Sequence, residues 1–328
     1  MREITYSKAI NETLHQLMEA DDRIILIGQG VTSPWYVGMT TVGLIDRYGS
    51  KRVIDPPVSE NAIAGVATGA ALAGLHPICV FPRMDFMYYA MDQIANHAAN
   101  WYYMFGGQMN VPMTIWAIIN RGGEQAAQHS QAIHAMLTHI PGLKVVAPSN
   151  GYDAKGLLAS CINDGNPVVF VDDRWLYELK SNVPEELYSI PLGRAVVRRK
   201  GSDVTVLASS YMVHESINAA EDCEKLGISV EVVDLRSLKP LDGHSINASV
   251  KKTGRVVVVD GGWRTCGFGA NISACIAETP MIRDLRAPII RVSLPDAPAP
   301  ASSSLERAFY PKKQKILSAI KRVMGYDK

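Results

Sequence analysis

Three stretches of this chain carry residue types that chemistry needs, at places where a fold can use them. The first is Asp55-Pro56-Pro57-Val58-Ser59-Glu60-Asn61-Ala62-Ile63-Ala64-Gly65. An apolar, β-branched run ends at Asp55, two prolines hold the chain extended, and Ser59 stands where a helix cap belongs, so Glu60 opens a helix. A carboxylate there has two uses. It can complement the helix dipole, as first-turn acids generally do. It can also meet a ligand at the carboxyl end of a parallel strand, where open α/β sheets bind theirs. The second stretch, Phe81-Pro82-Arg83-Met84-Asp85-Phe86-Met87-Tyr88-Tyr89, is again a strand leaving into a helix. Its aromatic cluster fits a core as readily as a ligand platform. The third, Asn120-Arg121-Gly122-Gly123-Glu124-Gln125-Ala126-Ala127-Gln128-His129-Ser130-Gln131, is a small, polar loop after a long apolar run. His129 in such a loop can handle protons or cap the helix that follows.

The elements that must position these residues follow a regular order of amphipathic stretch, short apolar run and turn. Helices are expected at 7–19, 41–48, 60–73, 88–104, 130–138 and 152–162, and strands at 23–27, 52–54, 77–81, 111–119, 143–147 and 168–171. Continuous apolar runs alternating with helices predict a buried, largely parallel sheet covered on both faces. From 177 to 202 the pattern lapses into prolines and charges, which marks a domain boundary. Alternation resumes with strands at 204–208, 229–233, 255–259 and 289–292 and helices at 213–226, 241–250 and 270–278. The expectation is α/β with two doubly wound domains, residues 1–185 and 195–328. The proline-rich tract at 295–304 reads as an extended surface crossing. Along the helix after Glu60, Gly65, Gly69 and Ala73 recur every fourth residue and leave one face almost bare. Each helical glycine costs about 1 kcal/mol, which close packing can offset, against another subunit or against a helix of the same domain.

Composition narrows the classes further. With 47% apolar and 20% charged residues over 328 positions, the chain has ample core for two domains. A net charge of +1 offers no handle for nucleic acid or a membrane surface. No apolar stretch reaches the roughly 18 residues of a membrane span. Cys79, Cys161, Cys223, Cys266 and Cys275 are odd in number without CxxC spacing, so they read as reduced thiols. The N-terminal residues have neither signal-peptide nor transit character, and the expected location is the cytoplasm.

At its motifs the chain resembles the β subunits of the E1 component of 2-oxo acid dehydrogenases, of the pyruvate and branched-chain type, in the transketolase-like thiamine diphosphate group. The resemblance runs through Val58-Ser59-Glu60, Ala90-Met91-Asp92-Gln93-Ile94-Ala95-Asn96, Ala127-Gln128-His129-Ser130-Gln131 and Pro141-Gly142-Leu143-Lys144-Val145-Val146-Ala147-Pro148. It continues through Asp153-Ala154-Lys155-Gly156-Leu157-Leu158, Asn166-Pro167-Val168-Val169-Phe170 and the run from Val232 to Asp242. It implies a pyrimidine-binding domain followed by a transketolase C-terminal-like domain. It implies that Glu60 hydrogen-bonds the aminopyrimidine of thiamine diphosphate, and that Phe86 packs on that ring, with Val58 and Gln29 lining the same pocket. It places His129 on the acyl-transfer side. It implies a structural potassium ion at the backbone carbonyls of Met113, Cys161, Ile162, Asp164 and Asn166.

A missing motif bears on assembly. The group binds Mg2+ and the diphosphate through Gly-Asp-Gly followed about two dozen residues later by Asn, and no such pair is present here. The resemblance therefore implies an α-type E1 subunit that brings those ligands, in an α2β2 enzyme acting on a small 2-oxo acid and passing the acyl group to a lipoyl-bearing E2. The chain departs from the pattern at Gln29-Gly30-Val31, where two acids are usual, at Val80 in place of Glu, and at Arg83, Tyr89 and the 120–125 loop. These departures keep a second reading open, a two-subunit carboligase or ketotransferase that passes a two-carbon unit to a carbonyl acceptor such as a keto sugar. A third, a non-catalytic assembly subunit, is disfavoured by Glu60 and His129 together.

Overall fold

The computed structural model describes residues 2–325. Its first half is built on a seven-stranded sheet. Strand β1 (Arg2–Thr5) leads into the helix Tyr6–Ala20, and then come β2 (Ile24–Gly28), β3 (Val53–Ile54), β4 (His76–Phe81), β5 (Thr114–Ile119), β6 (Lys144–Val146) and β7 (Val168–Asp173). After them run β8 (Lys180–Val183), β9 (Val196–Arg199), β10 (Val204–Ala208), β11 (Val230–Asp234), β12 (Ser237–Lys239), β13 (Val256–Trp263) and β14 (Ile290–Leu294). The large sheet has the order β12-β6-β7-β5-β4-β2-β3 and the second sheet β14-β13-β10-β11-β9. Strands β2 to β7 are mutually parallel, with Ile25 opposite Pro77, Cys79 opposite Ile115 and Ile115 opposite Val169. Every residue of β2, β5 and β7 is buried, as continuous Ile, Val and Leu runs require when both sheet faces are covered.

The sheet carries one apolar layer on each face. One holds Leu14, Leu26, Trp116 and Phe170. The other holds Ile63, Ala67, Phe81, Ile115 and Val169 and runs on without a break into Leu207, Val258 and Ile272 of the second half. A third cluster, with Val206, Val232 and Ile320, closes the far side of the second sheet. Among the described residues no helix is long and apolar enough to cross a membrane.

Several elements depart from the sequence expectation. The segment 177–202 is not structureless: β8 pairs antiparallel with β1, and β9 pairs antiparallel with β11. Their mixed polar sequences hide them because each lies at an edge, where only alternate residues are covered. Strand β12 belongs by sequence to the second half but pairs antiparallel with β6, so the large sheet borrows its last strand across the boundary. The helix expected at 88–104 is three pieces, Met87–Met91, a π-type stretch Asp92–Ala98, and Ala99–Met104. The helix expected from Ser130 begins only at His134. The proline tract is extended as far as the helix Ser303–Phe309, and the helix Lys313–Met324, for which the sequence pattern gave no sign, packs on Met212–Glu224.

Candidate cofactor cleft

The carboxyl ends of β2, β3 and β4 open into one cleft. Its walls are Gln29 after β2, Glu60 and Ile63 on the first turn of Glu60–Leu72, Val80 to Arg83 at the end of β4, Phe86, and Tyr36 from the loop that follows β2. Asp55 organises that loop. Its carboxylate accepts hydrogen bonds from the Gly30 amide at 2.9 Å and from the Thr32 hydroxyl at 2.6 Å. Gly30 has φ +73, and a Cβ there would lie 2.2 Å from the Tyr36 ring, so glycine is what lets Tyr36 close over the turn.

Glu60 is half-buried and opens its helix without a capping bond from Ser59. Phe86 lines the same cleft from a short helical turn, and His129 meets its ring edge-on at 5.3 Å between centroids and 87° between planes. Burial, with Arg83 adding to it, holds the imidazole below its ordinary value, so His129 favours the neutral form that can accept a proton. The structure thus gathers Gln29, Glu60 and Phe86 around one cleft and sets His129 edge-on to Phe86. Val58 does not join the cleft walls. It is 61% exposed on the extended approach to Glu60.

Three further residues shape the site, and sequence patterns did not single them out as a unit. Arg83 lies with its guanidinium carbon 4.6 Å from the centroid of the Tyr36 ring, and burial lowers its affinity for its proton. Arg174, which follows β7, donates to the Tyr36 carbonyl. Asp85 is buried, accepts a hydrogen bond from the Gln131 amide at 3.1 Å, and so ties the His129 loop to the end of β4. Burial pushes its carboxyl up to about 6 in spite of that bond. Only the unusual Arg83 gave a signal in the sequence. Tyr36 and Arg174 come from segments far apart in the chain.

The residues considered for potassium lie at the end of the helix Gly151–Ile162 and just before β5 and β7. The Met113 carbonyl accepts from the Val168 amide at 3.1 Å, and the Cys161 carbonyl accepts from the Asp164 amide at 3.3 Å. The Asp164 carboxylate accepts from Lys144 at 2.6 Å and from the Asn166 amide at 2.9 Å. Carbonyl oxygens suit a hard cation, and each has a second lone pair, but Lys144 already neutralises the one carboxylate of the loop. The bare helix face is open at Gly69, which has no atom within 4 Å of a built Cβ, while Gly65 sits 3.4 Å from Gln93.

A carboxylate and an aromatic ring lining one half-open cleft fit the aminopyrimidine of thiamine diphosphate, one by hydrogen bonding and the other by stacking. Comparison with known proteins agrees. Residues 2–180 match the transketolase pyrimidine-binding domain and residues 193–316 the transketolase C-terminal domain. The chain is 42% identical to the β subunit of the mitochondrial pyruvate dehydrogenase E1 component of Bos taurus, covering 98% of this chain and 91% of that one. It is 40% identical to the β subunit of acetoin:2,6-dichlorophenolindophenol oxidoreductase of Bacillus subtilis (strain 168), covering 99% and 98%. A solved split-gene transketolase, described as an inactive β4 tetramer, superposes with a TM-score of 0.79 at 21% identity over 99% of both chains, a likeness of fold. The chain belongs to the transketolase-like family, among the β subunits of the thiamine-diphosphate-dependent E1 components of 2-oxo acid dehydrogenases.

Proposed function

We propose that this chain is the β half of a two-subunit enzyme that decarboxylates a small 2-oxo acid, with Glu60 on the aminopyrimidine of thiamine diphosphate and Phe86 against its face. The observation that carries this is that Glu60, at the strand end, and Phe86 line the same cleft. When bound, the cofactor takes up the electron pair left by CO2. The chain's own residues hold the ring, share a proton with it through Glu60, and keep a neutral His129 beside the ring that Phe86 would cover. Mg2+ and the diphosphate are assigned to an α-type partner in an α2β2 assembly. Supporting surfaces are the open face at Gly69 and the exposed run Tyr102, Tyr103, Met104 and Phe105, with Tyr103 88% exposed, since contiguous apolar surface of this kind marks a subunit contact. Val58, exposed in the single chain, would be covered there. Potassium at the Met113, Cys161, Ile162, Asp164 and Asn166 carbonyls belongs to the same proposal. It requires a higher melting temperature in KCl than in choline chloride at equal ionic strength, and equal melting in the two salts would remove it.

The acyl acceptor is a lipoyl group on an E2 partner in this reading. The replaced acids at Gln29 and Val80, with Arg83 on the wall, favour a second reading, transfer to a carbonyl compound such as a keto sugar. The deciding experiment supplies the co-expressed complex with pyruvate or branched 2-oxo acids, thiamine diphosphate and Mg2+. A lipoyl domain or a panel of aldehydes and keto sugars serves as acceptor, and products are identified by mass. Acyl-lipoyl product supports the E1 reading, and a new carbon–carbon bond supports the carboligase. Absence of CO2 release from every 2-oxo acid, with dichlorophenolindophenol as the electron acceptor, would defeat both.

A further inference from the structure

One wall of the cleft carries more positive charge than this chain satisfies. Arg83 lines the cleft beside Phe86, and its Nε and Nη1 are buried without a hydrogen-bond partner. Arg174 reaches Tyr36 through the Tyr36 carbonyl and leaves its own Nε buried and unbonded. The two guanidinium groups are close enough for Arg174 to oppose the charge on Arg83, and Arg83 in turn opposes a charge on His129. The acid nearest this cluster is Asp85, which bonds the Gln131 amide through Oδ1, leaves Oδ2 buried and unbonded, and forms no ion pair with Arg83. Tyr36 and Tyr177 are the remaining titratable neighbours of Arg83.

A guanidinium group without an acceptor is costly, and Arg83, which lines the cleft, has no hydrogen-bonded carboxylate among the described residues, so the wall calls for an acceptor from outside them. Guanidinium groups are best matched by carboxylates and phosphates. The carboxylate that leaves as CO2 is a poor candidate. It loses its charge on the way to the transition state, so an arginine bound to it would stabilise the ground state more and slow the reaction. An oxyanion that survives the step carries no such penalty.

We propose that Arg83, backed by Arg174, recognises a second oxyanion, carried either by the 2-oxo acid in addition to its leaving carboxylate or by the carbonyl compound that accepts the acyl group. This deepens the reading of the cleft as a 2-oxo acid site and rests on it. The complementary chemistry is a dicarboxylic 2-oxo acid in the first case and a phosphorylated aldehyde or ketose in the second.

The test uses the assembled two-subunit complex and matched pairs, 2-oxobutyrate against 2-oxoglutarate as substrate and glyceraldehyde against glyceraldehyde 3-phosphate as acceptor. The wild type should favour the charged member of at least one pair about 10- to 100-fold in kcat/KM, the range of a hydrogen bond to a charged group. Arg83→Gln should erase that preference, mainly through KM, and Arg83→Lys should restore part of it. Preference for the diacid assigns the oxyanion to the substrate, and preference for the phosphate assigns it to the acceptor. Calorimetry with the same four compounds reads the subsite independently of turnover. If no 2-oxo acid releases CO2 while the charged compounds still bind Arg83-dependently, the decarboxylase reading fails and the subsite stands. If the charged and neutral members bind and react alike, or Arg83→Gln leaves their ratio unchanged, the subsite is overturned. It is equally overturned if Arg83→Gln abolishes assembly and Arg83→Lys restores assembly with no charge preference, because Arg83 then answers an acid of the partner chain.

Discussion

The cleft wall and the seam between the two halves treat buried charge in opposite ways. Along the seam, Arg121 and Asp173, 2% and 0% exposed at their side chains, form an ion pair, and Arg121 also donates to the Gly261 carbonyl and lies 4.7 Å from the Trp175 ring centroid. His134 bonds Asp260 at 2.9 Å, and Asp260 also accepts from the Gly262 and Gly269 amides. Asp153 meets Arg198 and Arg236, while Arg198 also reaches Asp234. Each of these carboxylates and guanidinium groups has a partner from the other half of the chain or from a neighbouring strand. Around the cleft, Arg83 and Arg174 face no carboxylate that binds them. Both regions leave buried nitrogens unbonded, Arg121 Nε and His134 Nδ1 at the seam among them, so what separates the two is ion pairing: the seam's arginines meet carboxylates within one chain, and the cleft's arginines meet one only from something added, a ligand or a second subunit.

The sharpest way to break this comparison is at Glu60. In the assembled complex Glu60→Gln keeps the shape but cannot shift a proton, and turnover should fall about 10²- to 10⁴-fold, the range for losing one positioned acid–base group. Near-normal turnover in a correctly assembled variant would return Glu60 to complementing the helix dipole, a contribution of about 0.3–1 kcal/mol. Next in size is the seam. Arg121→Leu leaves Asp173 buried and uncompensated and should cost about 3–5 kcal/mol in denaturant unfolding of the isolated chain. Arg83→Gln, measured in the same way, removes no partner and should cost far less. Equal losses at Arg83 and Arg121 would erase the distinction between the two regions.

How much of this was legible in the sequence follows from how locally each feature is encoded. The strands β2, β4, β5 and β7 are continuous apolar runs, and Glu60 stands at a strand end because Pro56 and Pro57 stop β3 a few residues before the helix. These are neighbours in the chain, and pattern reaches them. Strands β8 and β9 have one covered side each and no apolar run, and β12 is recruited to the large sheet by a pairing with β6 almost a hundred residues away. The wall of Arg83, Tyr36 and Arg174 joins three segments across the ends of β4, β2 and β7. Single positions in it looked unusual, but their convergence is tertiary. Val58 shows the converse case. It neighbours Glu60 in sequence, yet it is exposed and lines no wall of the cleft that the single chain forms.

A further effect is the most diagnostic of how the His129 loop is held. Asp85 anchors that loop through the Gln131 amide, and burial raises its carboxyl from the usual 3.8 to about 6. A raised acid binds its proton more tightly in the native chain than in the unfolded one. Below about pH 4 both states hold the proton and the group contributes no penalty. As pH rises from 4 to 6 the unfolded chain releases its proton first, so native stability falls across that window. Above pH 6 the penalty is constant at up to about 3 kcal/mol, taking 1.36 kcal/mol for each pH unit of displacement. Asp85→Asn keeps an oxygen for the Gln131 amide and has nothing to ionise. Its unfolding midpoint should therefore exceed that of the wild type at pH 8 and coincide with it near pH 4. A difference of the same size at both pH values would show that Asp85 acts through packing alone, and a wild-type advantage at pH 8 would mean that its charge is met by Arg83, which would draw the cleft wall closer to the seam than its geometry indicates.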